Sequence, residues 1–93
     1  MNYLELFNEV IKVACPINTA KAKATSLDQE LKDTGLDSLD MLMVSVYLAE
    51  IFGVLEAVAK EVKPTTVGDL IAYMKFHRTK DVDSVEEAIK GIQ

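Results

Sequence analysis

One cysteine and one histidine, Cys15 and His77, are all that this 93-residue chain has of the side chains that most often hold zinc. An internal disulfide is therefore excluded, and no Cys/His cluster stands at zinc-ligand spacing. A Ser-His-Asp triad would have to use His77 as its base, and nothing near it in sequence supports that role. No uninterrupted apolar run approaches the roughly 18 residues that span a bilayer. The opening MNYLELFNEV carries Glu5 and Glu9 where a secretory signal has a basic and then an apolar region, so the expected location is the cytoplasm. Cys15 reads as a small buried hydrophobe near the end of a first helix, and His77, beside Arg78, as a group near a helix C-terminus, where positive charge is favourable.

Positive charge is also scarce. Ten basic residues face fifteen acids, for a net charge of -5. The imbalance is local: between residues 26 and 50, Asp28, Glu30, Asp33, Asp37, Asp40 and Glu50 are opposed by Lys32 alone. Such a field repels nucleic-acid phosphates and favours partners with basic surfaces. With 49% hydrophobic residues, the chain can still bury the core of one small domain.

Helical signals dominate. Leu4, Phe7, Ile11 and Ala14 recur at intervals of three and four, which predicts a first helix over residues 2 to 15, stopped by Pro16. Residues 16 to 37 form a long connection. The KAKA near its start is weakly patterned, while Ser26 and Gln29 resemble a capping box and Leu27 and Leu31 give a short helical turn something to bury. Gly35 supplies a turn, and Asp37 or Ser38 is suited to cap a second helix over about 38 to 52, apolar almost all round and ended by Gly53. VLEAVAKEVK predicts a short third helix bounded by Pro64. Thr66 and Asp69 form a capping box for a fourth, with Val67, Leu70, Ile71 and Met74 inward. Ser84 and Glu87 repeat that box ahead of a fifth short helix at about 84 to 91, which has Val82, Val85, Ile89 and Ile92 to dock with.

The stretch DTGLDSLDMLMV, residues 33 to 44, resembles the attachment site of acyl carrier proteins, whose motif is Asp-Leu-Gly-X-Asp-Ser-Leu. The similarity continues through Ile51 and Phe52 and through PTTVGDLIAYM at 64 to 74, covering roughly residues 2 to 77. It implies an all-α fold: a small four-helix bundle with a long loop between helices 1 and 2 and a short third helix. The carrier-like domain would span 1–78, followed by an extension over 79–93 with a further helix. It also implies that Ser38 carries 4'-phosphopantetheine, placed there from coenzyme A by a separate phosphopantetheinyl transferase, with Asp37 and Leu39 completing the attachment motif. Such a chain is no enzyme; it is a monomer that serves acyl-loading and acyl-processing enzymes in fatty acid, polyketide or specialised lipid synthesis, with an acyl chain as its cargo.

An acyl chain gains roughly 0.8 kcal/mol for each buried methylene, so six to eight would contribute about 5 to 6 kcal/mol before repacking. Val46, Leu48, Phe52, Val62 and Ile71 are the candidates for lining the space that receives it, and ordinary core is the competing role for each. Asp40, Met41, Met43, Tyr47 and Glu50, with Leu39, are the candidates for meeting partners. Several positions depart from the family: Thr34 stands where members have Leu, Met43 where many have Glu, and Ala49 and Ile51 where acids are frequent. These make the second helix oilier than in the common fatty-acid carriers and suggest an apolar recognition surface for a dedicated enzyme. Two other function classes stay open: an aminoacyl, peptidyl or D-alanyl carrier, disfavoured by the absence of His before Ser38, and an unmodified helical interaction module with an acidic face.

Overall fold

The computed structural model describes residues 2–16 and 23–92. Within them lie α1 (Tyr3–Ala14), α2 (Ser38–Phe52), α3 (Glu56–Ala59), α4 (Val67–Phe76) and α5 (Val85–Lys90), with one turn of 3-10 helix at Leu31–Asp33 and no strand beyond a single bridge between Glu30 and Thr66. No helix among the described residues is long and apolar enough to cross a membrane. The chain is a small all-helical bundle.

Asn2 caps α1 by accepting from the Glu5 amide at 3.0 Å, and the helix gives out at Cys15, ahead of Pro16. Its apolar face is wider than the expected stripe. Leu6, Phe7, Val10 and Ile11 are fully buried while Leu4 and Ala14 are half-buried, because α1 touches α2, α4 and α5 rather than one neighbour. Around it the core gathers Val44, Leu48 and Phe52 from α2 and Val67, Leu70, Ile71 and Met74 from α4. Each such side chain contributes about 1.5–3 kcal/mol on burial.

Of the long connection, residues 17–22 and with them the start of KAKA lie outside the described part. The rest is held by backbone bonds to distant segments. Asn8 clasps Ala24 from both sides, donating to its carbonyl at 2.9 Å and accepting from its amide at 2.8 Å, as a neighbouring strand would. Leu31 donates to the Thr65 carbonyl, Val67 to Gln29 and Gly68 to Leu27, so the loop is laced to the entry of α4. Gln29 does not complete a capping box on Ser26; its side-chain oxygen accepts from the Thr25 amide at 2.6 Å and its amide group donates to the Asp33 carbonyl. Thr34, a polar residue at 2% exposure, is satisfied by donating from Oγ1 to the Leu31 carbonyl at 2.6 Å.

Gly53 closes α2 in the left-handed region at φ 69°. The Val54 amide reaches back to the Ala49 carbonyl and that of Gly53 to Glu50, the Schellman pattern. Because this C-cap consumes Val54, and the chain beyond Ala59 relaxes into tighter turns, α3 is only four residues long within the expected 54–63. Tyr73 of α4 holds it, the phenol donating to the Val58 carbonyl at 2.8 Å. Residues 79 and 80 return to α2: both amides donate to the Phe52 carbonyl and Thr79 Oγ1 to that of Gly53 at 2.6 Å. Ser84 caps α5, whose Ala88 and Ile89 are buried as it docks on α1.

Candidate functional site

The entry to α2 is set by two residues. Gly35, at φ 88°, turns the chain out of the loop, and Leu36, 8% exposed, anchors it to the core. Asp37 follows in extended conformation and takes the N-cap: its Oδ1 accepts from the Asp40 amide at 2.8 Å, while Asp40 Oδ2 accepts from the Asp37 amide at 3.4 Å. The cap is thus Asp37, and Ser38 is the first helical residue. Its side chain is exposed, and among the described residues its hydroxyl forms no hydrogen bond.

Beneath this turn lies the end of α1. Cys15, 5% exposed, directs its thiol to the Asp40 carbonyl oxygen at 3.8 Å. Burial, reinforced by the Asp40 and Asp37 carboxylates and the contact with Asp40, pushes the thiol up to about 11. A neutral thiol is a poor nucleophile, so Cys15 is a packing residue at neutral pH.

Beside Ser38 a groove of about 180 Å³ opens between α2 and the α3 segment. Met41, Leu42 and Ser45 form one wall and Ala59 and Val62 the other. Of the residues expected to line such a space, only Val62 does so. Leu48, Phe52 and Ile71 are at most 3% exposed and belong to the closed core, while Val46 is half-buried on a different part of α2 from the groove. Leu42, Ser45 and Ala59 were missed. The signal for the α2 pair was available: positions four and seven residues after Ser38 share its helical face.

The candidates for meeting partners divide. Leu39 is 67% and Leu42 44% exposed, and the half-buried Met43 and Val46 continue the same apolar strip towards the exposed Glu50. Met41 and Tyr47 pack against the core, with Met41 also in the groove wall. Ala49 and Ile51 are buried at 3% and 7%; the side of α2 bearing Ile51 faces Val82, Ala88 and Ile92 of the extension across a small cleft. Their apolar character is thereby explained by coverage rather than by recognition. Asp40 and Asp37 keep the acidic character at the Ser38 end.

No base is positioned on Ser38 by the lone histidine. His77 ends α4 with its ring 4.6 Å from that of Tyr73 and 5.0 Å from that of Phe76. Among the described residues no group of His, Cys, Asp and Glu could hold a metal ion. The site therefore offers an exposed primary hydroxyl at a helix N-terminus, flanked by two carboxylates and next to a largely apolar groove. Comparison with family models, with curated protein sequences and with solved structures found no match for this chain.

Proposed function

We propose that the chain is an acyl carrier protein in which Ser38 is the attachment point for 4'-phosphopantetheine. The observation that carries this reading is the division of labour at the head of α2. Serine before a helix is ordinarily a cap, but here Asp37 does the capping and leaves the Ser38 hydroxyl exposed and uncommitted. The resemblance of DTGLDSLDMLMV to a carrier attachment motif supplies the chemistry.

The surroundings fit the group. The first amides of α2 and the positive end of its dipole favour a phosphate on the serine oxygen. Asp37 and Asp40 oppose a phosphate that lies back on the helix, which turns it outward, and the exposed Asp37 gives a basic enzyme surface a carboxylate to approach. When bound, the arm supplies a thiol that holds acyl groups as thioesters. Around it, the residues of this chain do three things. Asp37 fixes the helix start, Met41, Leu42 and Val62 offer apolar shelter, and Leu39 with Met43 presents an exposed apolar strip to the enzymes that load and process cargo. Partners in this reading are a phosphopantetheinyl transferase and those enzymes, and the reactions are theirs.

The test is intact mass after incubation with coenzyme A and a broad-specificity phosphopantetheinyl transferase. One phosphopantetheine group should be gained by the native chain and none by Ser38→Ala. Equal masses with this and with other transferases would replace the carrier reading with that of an interaction module.

A further inference from the structure

Besides Ser38 itself, the groove contains one polar side chain, Ser45, that forms no hydrogen bond among the described residues. Ser45 follows Ser38 by seven residues on the same face of α2, about 10 Å along the axis. It is 8% exposed and lines the groove. A serine inside a helix often turns its hydroxyl onto the carbonyl four residues back. Ser45 makes no such bond to Met41, nor any other among the described residues. Since no side-chain oxygen among the described residues is both buried and unpartnered, the Ser45 hydroxyl opens into the groove rather than into the core. The groove is otherwise lined largely by apolar side chains, so this hydroxyl marks one point in it for a hydrogen bond.

We propose that Ser45 donates this hydrogen bond to a carbonyl oxygen in the cargo tethered at Ser38, making the groove selective for short, oxygenated acyl groups over saturated chains. The inference rests on the carrier reading and deepens it. Size supports the word short: about 180 Å³ is close to the roughly 150 Å³ that accommodates a benzene, and Leu48, Phe52 and Ile71, at most 3% exposed, do not extend its lining. Charge supports a neutral oxygen over a carboxylate. The cation at the rim, Lys60, is already paired with Glu56 at 3.2 Å, and Asp37 and Asp40 stand at the other end. An acyl group with a 3-oxo substituent has the chemistry this site would recognise.

Two measurements test it. In Ser38→Cys protein held as its mixed disulfide with glutathione, displacement of glutathione is followed with 6-mercaptohexan-2-one and with its hydrocarbon analogue 5-methylhexane-1-thiol, the incoming thiolate taking the introduced sulfur and reduced glutathione leaving; Cys15 is too buried to compete. The preference for the ketone should fall about five-fold when Ser45→Ala is added, the net worth of one hydrogen bond. An unchanged preference overturns the proposal, whether or not any transferase accepts the chain. In enzymatically loaded protein, the Ser45 amide resonance should move on going from the bare arm to 3-oxohexanoyl and not on going to hexanoyl. A shift already complete with the bare arm would assign the hydroxyl to the arm's own amides and overturn the assignment to cargo. Absence of loading would refute the carrier reading alone, and the exchange ratio would still decide the chemistry of the groove.

Discussion

Removing the Ser38 hydroxyl should leave the fold untouched, while removing the neighbouring carboxylate should weaken it. Asp37 accepts from the Asp40 amide at 2.8 Å, a short charge-assisted cap. Truncating an N-cap to alanine costs about 1 kcal/mol, and withdrawing negative charge from the positive end of a helix adds a few tenths. The reciprocal bond from Asp40, at 3.4 Å, is long and contributes little. Asp37→Ala should therefore lose about 1.5 kcal/mol. In a domain of this size that lowers the melting midpoint by roughly 6–12 °C, and Asp37→Asn, which keeps the cap, should recover most of it. Ser38→Ala replaces an uncommitted first-turn residue with the best helix former and should stay within about 0.5 kcal/mol of the parent. The assay is urea denaturation followed by far-ultraviolet circular dichroism, with the slopes compared so that midpoints can be read as stability. If Ser38→Ala cost as much as Asp37→Ala, the hydroxyl would be structural and the argument for its availability would fail.

Other perturbations follow from the same geometry. Gly53→Ala should cost about 2–3 kcal/mol, because alanine is strained at φ 69° and its Cβ would collide with Thr79 Oγ1. In a Thr79→Ala background the clash with Oγ1 is gone and only the flexible Lys80 side chain, with carbons at 3.0 and 3.2 Å from the added Cβ, must give way, so the measured cost should drop to about 1–2 kcal/mol, and strictly additive losses would contradict this account. Tyr73→Phe removes the bond to the Val58 carbonyl and should cost about 1 kcal/mol, with faster hydrogen exchange at the Ala59 and Lys60 amides; unchanged exchange would mean that α3 is held by other contacts. The Cys15 thiol, raised from 9.0 to about 11, keeps its proton in the folded state when the unfolded chain has lost it. Its contribution to stability is thus complete below pH 9 and declines between pH 9 and 11, by roughly 2 kcal/mol. The difference in stability between the native chain and Cys15→Ala, measured across that window, should carry this slope, and a flat difference would refute it.

Local rules read much of this molecule because local chemistry decides those places. Gly53 ends α2 since a left-handed residue is needed there, Pro16 stops α1, and the Thr66–Asp69 and Ser84 caps lie where the capping pattern put them. The loop between α1 and α2 was less legible. Gln29 can cap in isolation, yet its neighbours Leu27 and Leu31 are claimed by backbone bonds to residues 65 and 68, and a pairing across that separation leaves no trace in a short window. At the site, the motif located Ser38 but not the walls of its groove. Apolarity singled out Leu48, Phe52 and Ile71, which pack in the core and do not line the groove beside Ser38. The face shared with Ser38 selects Leu42 and Ser45, and one of these is polar, the type of residue that a search for an apolar lining passes over.

The docking of α5 on α1 also sets an order of events during synthesis. Seventy residues separate the end of α1 at Ala14 from the start of α5 at Val85. At about 5–20 residues per second a ribosome takes roughly 4–14 s to cover that distance. Throughout it the flank of α1 that α5 will occupy stays open to water and to other nascent chains. The bundle can complete this side only after nearly the whole described chain has emerged, so a stall in translation between the fourth and fifth helices would leave a sticky, half-covered first helix as the species that chaperones meet.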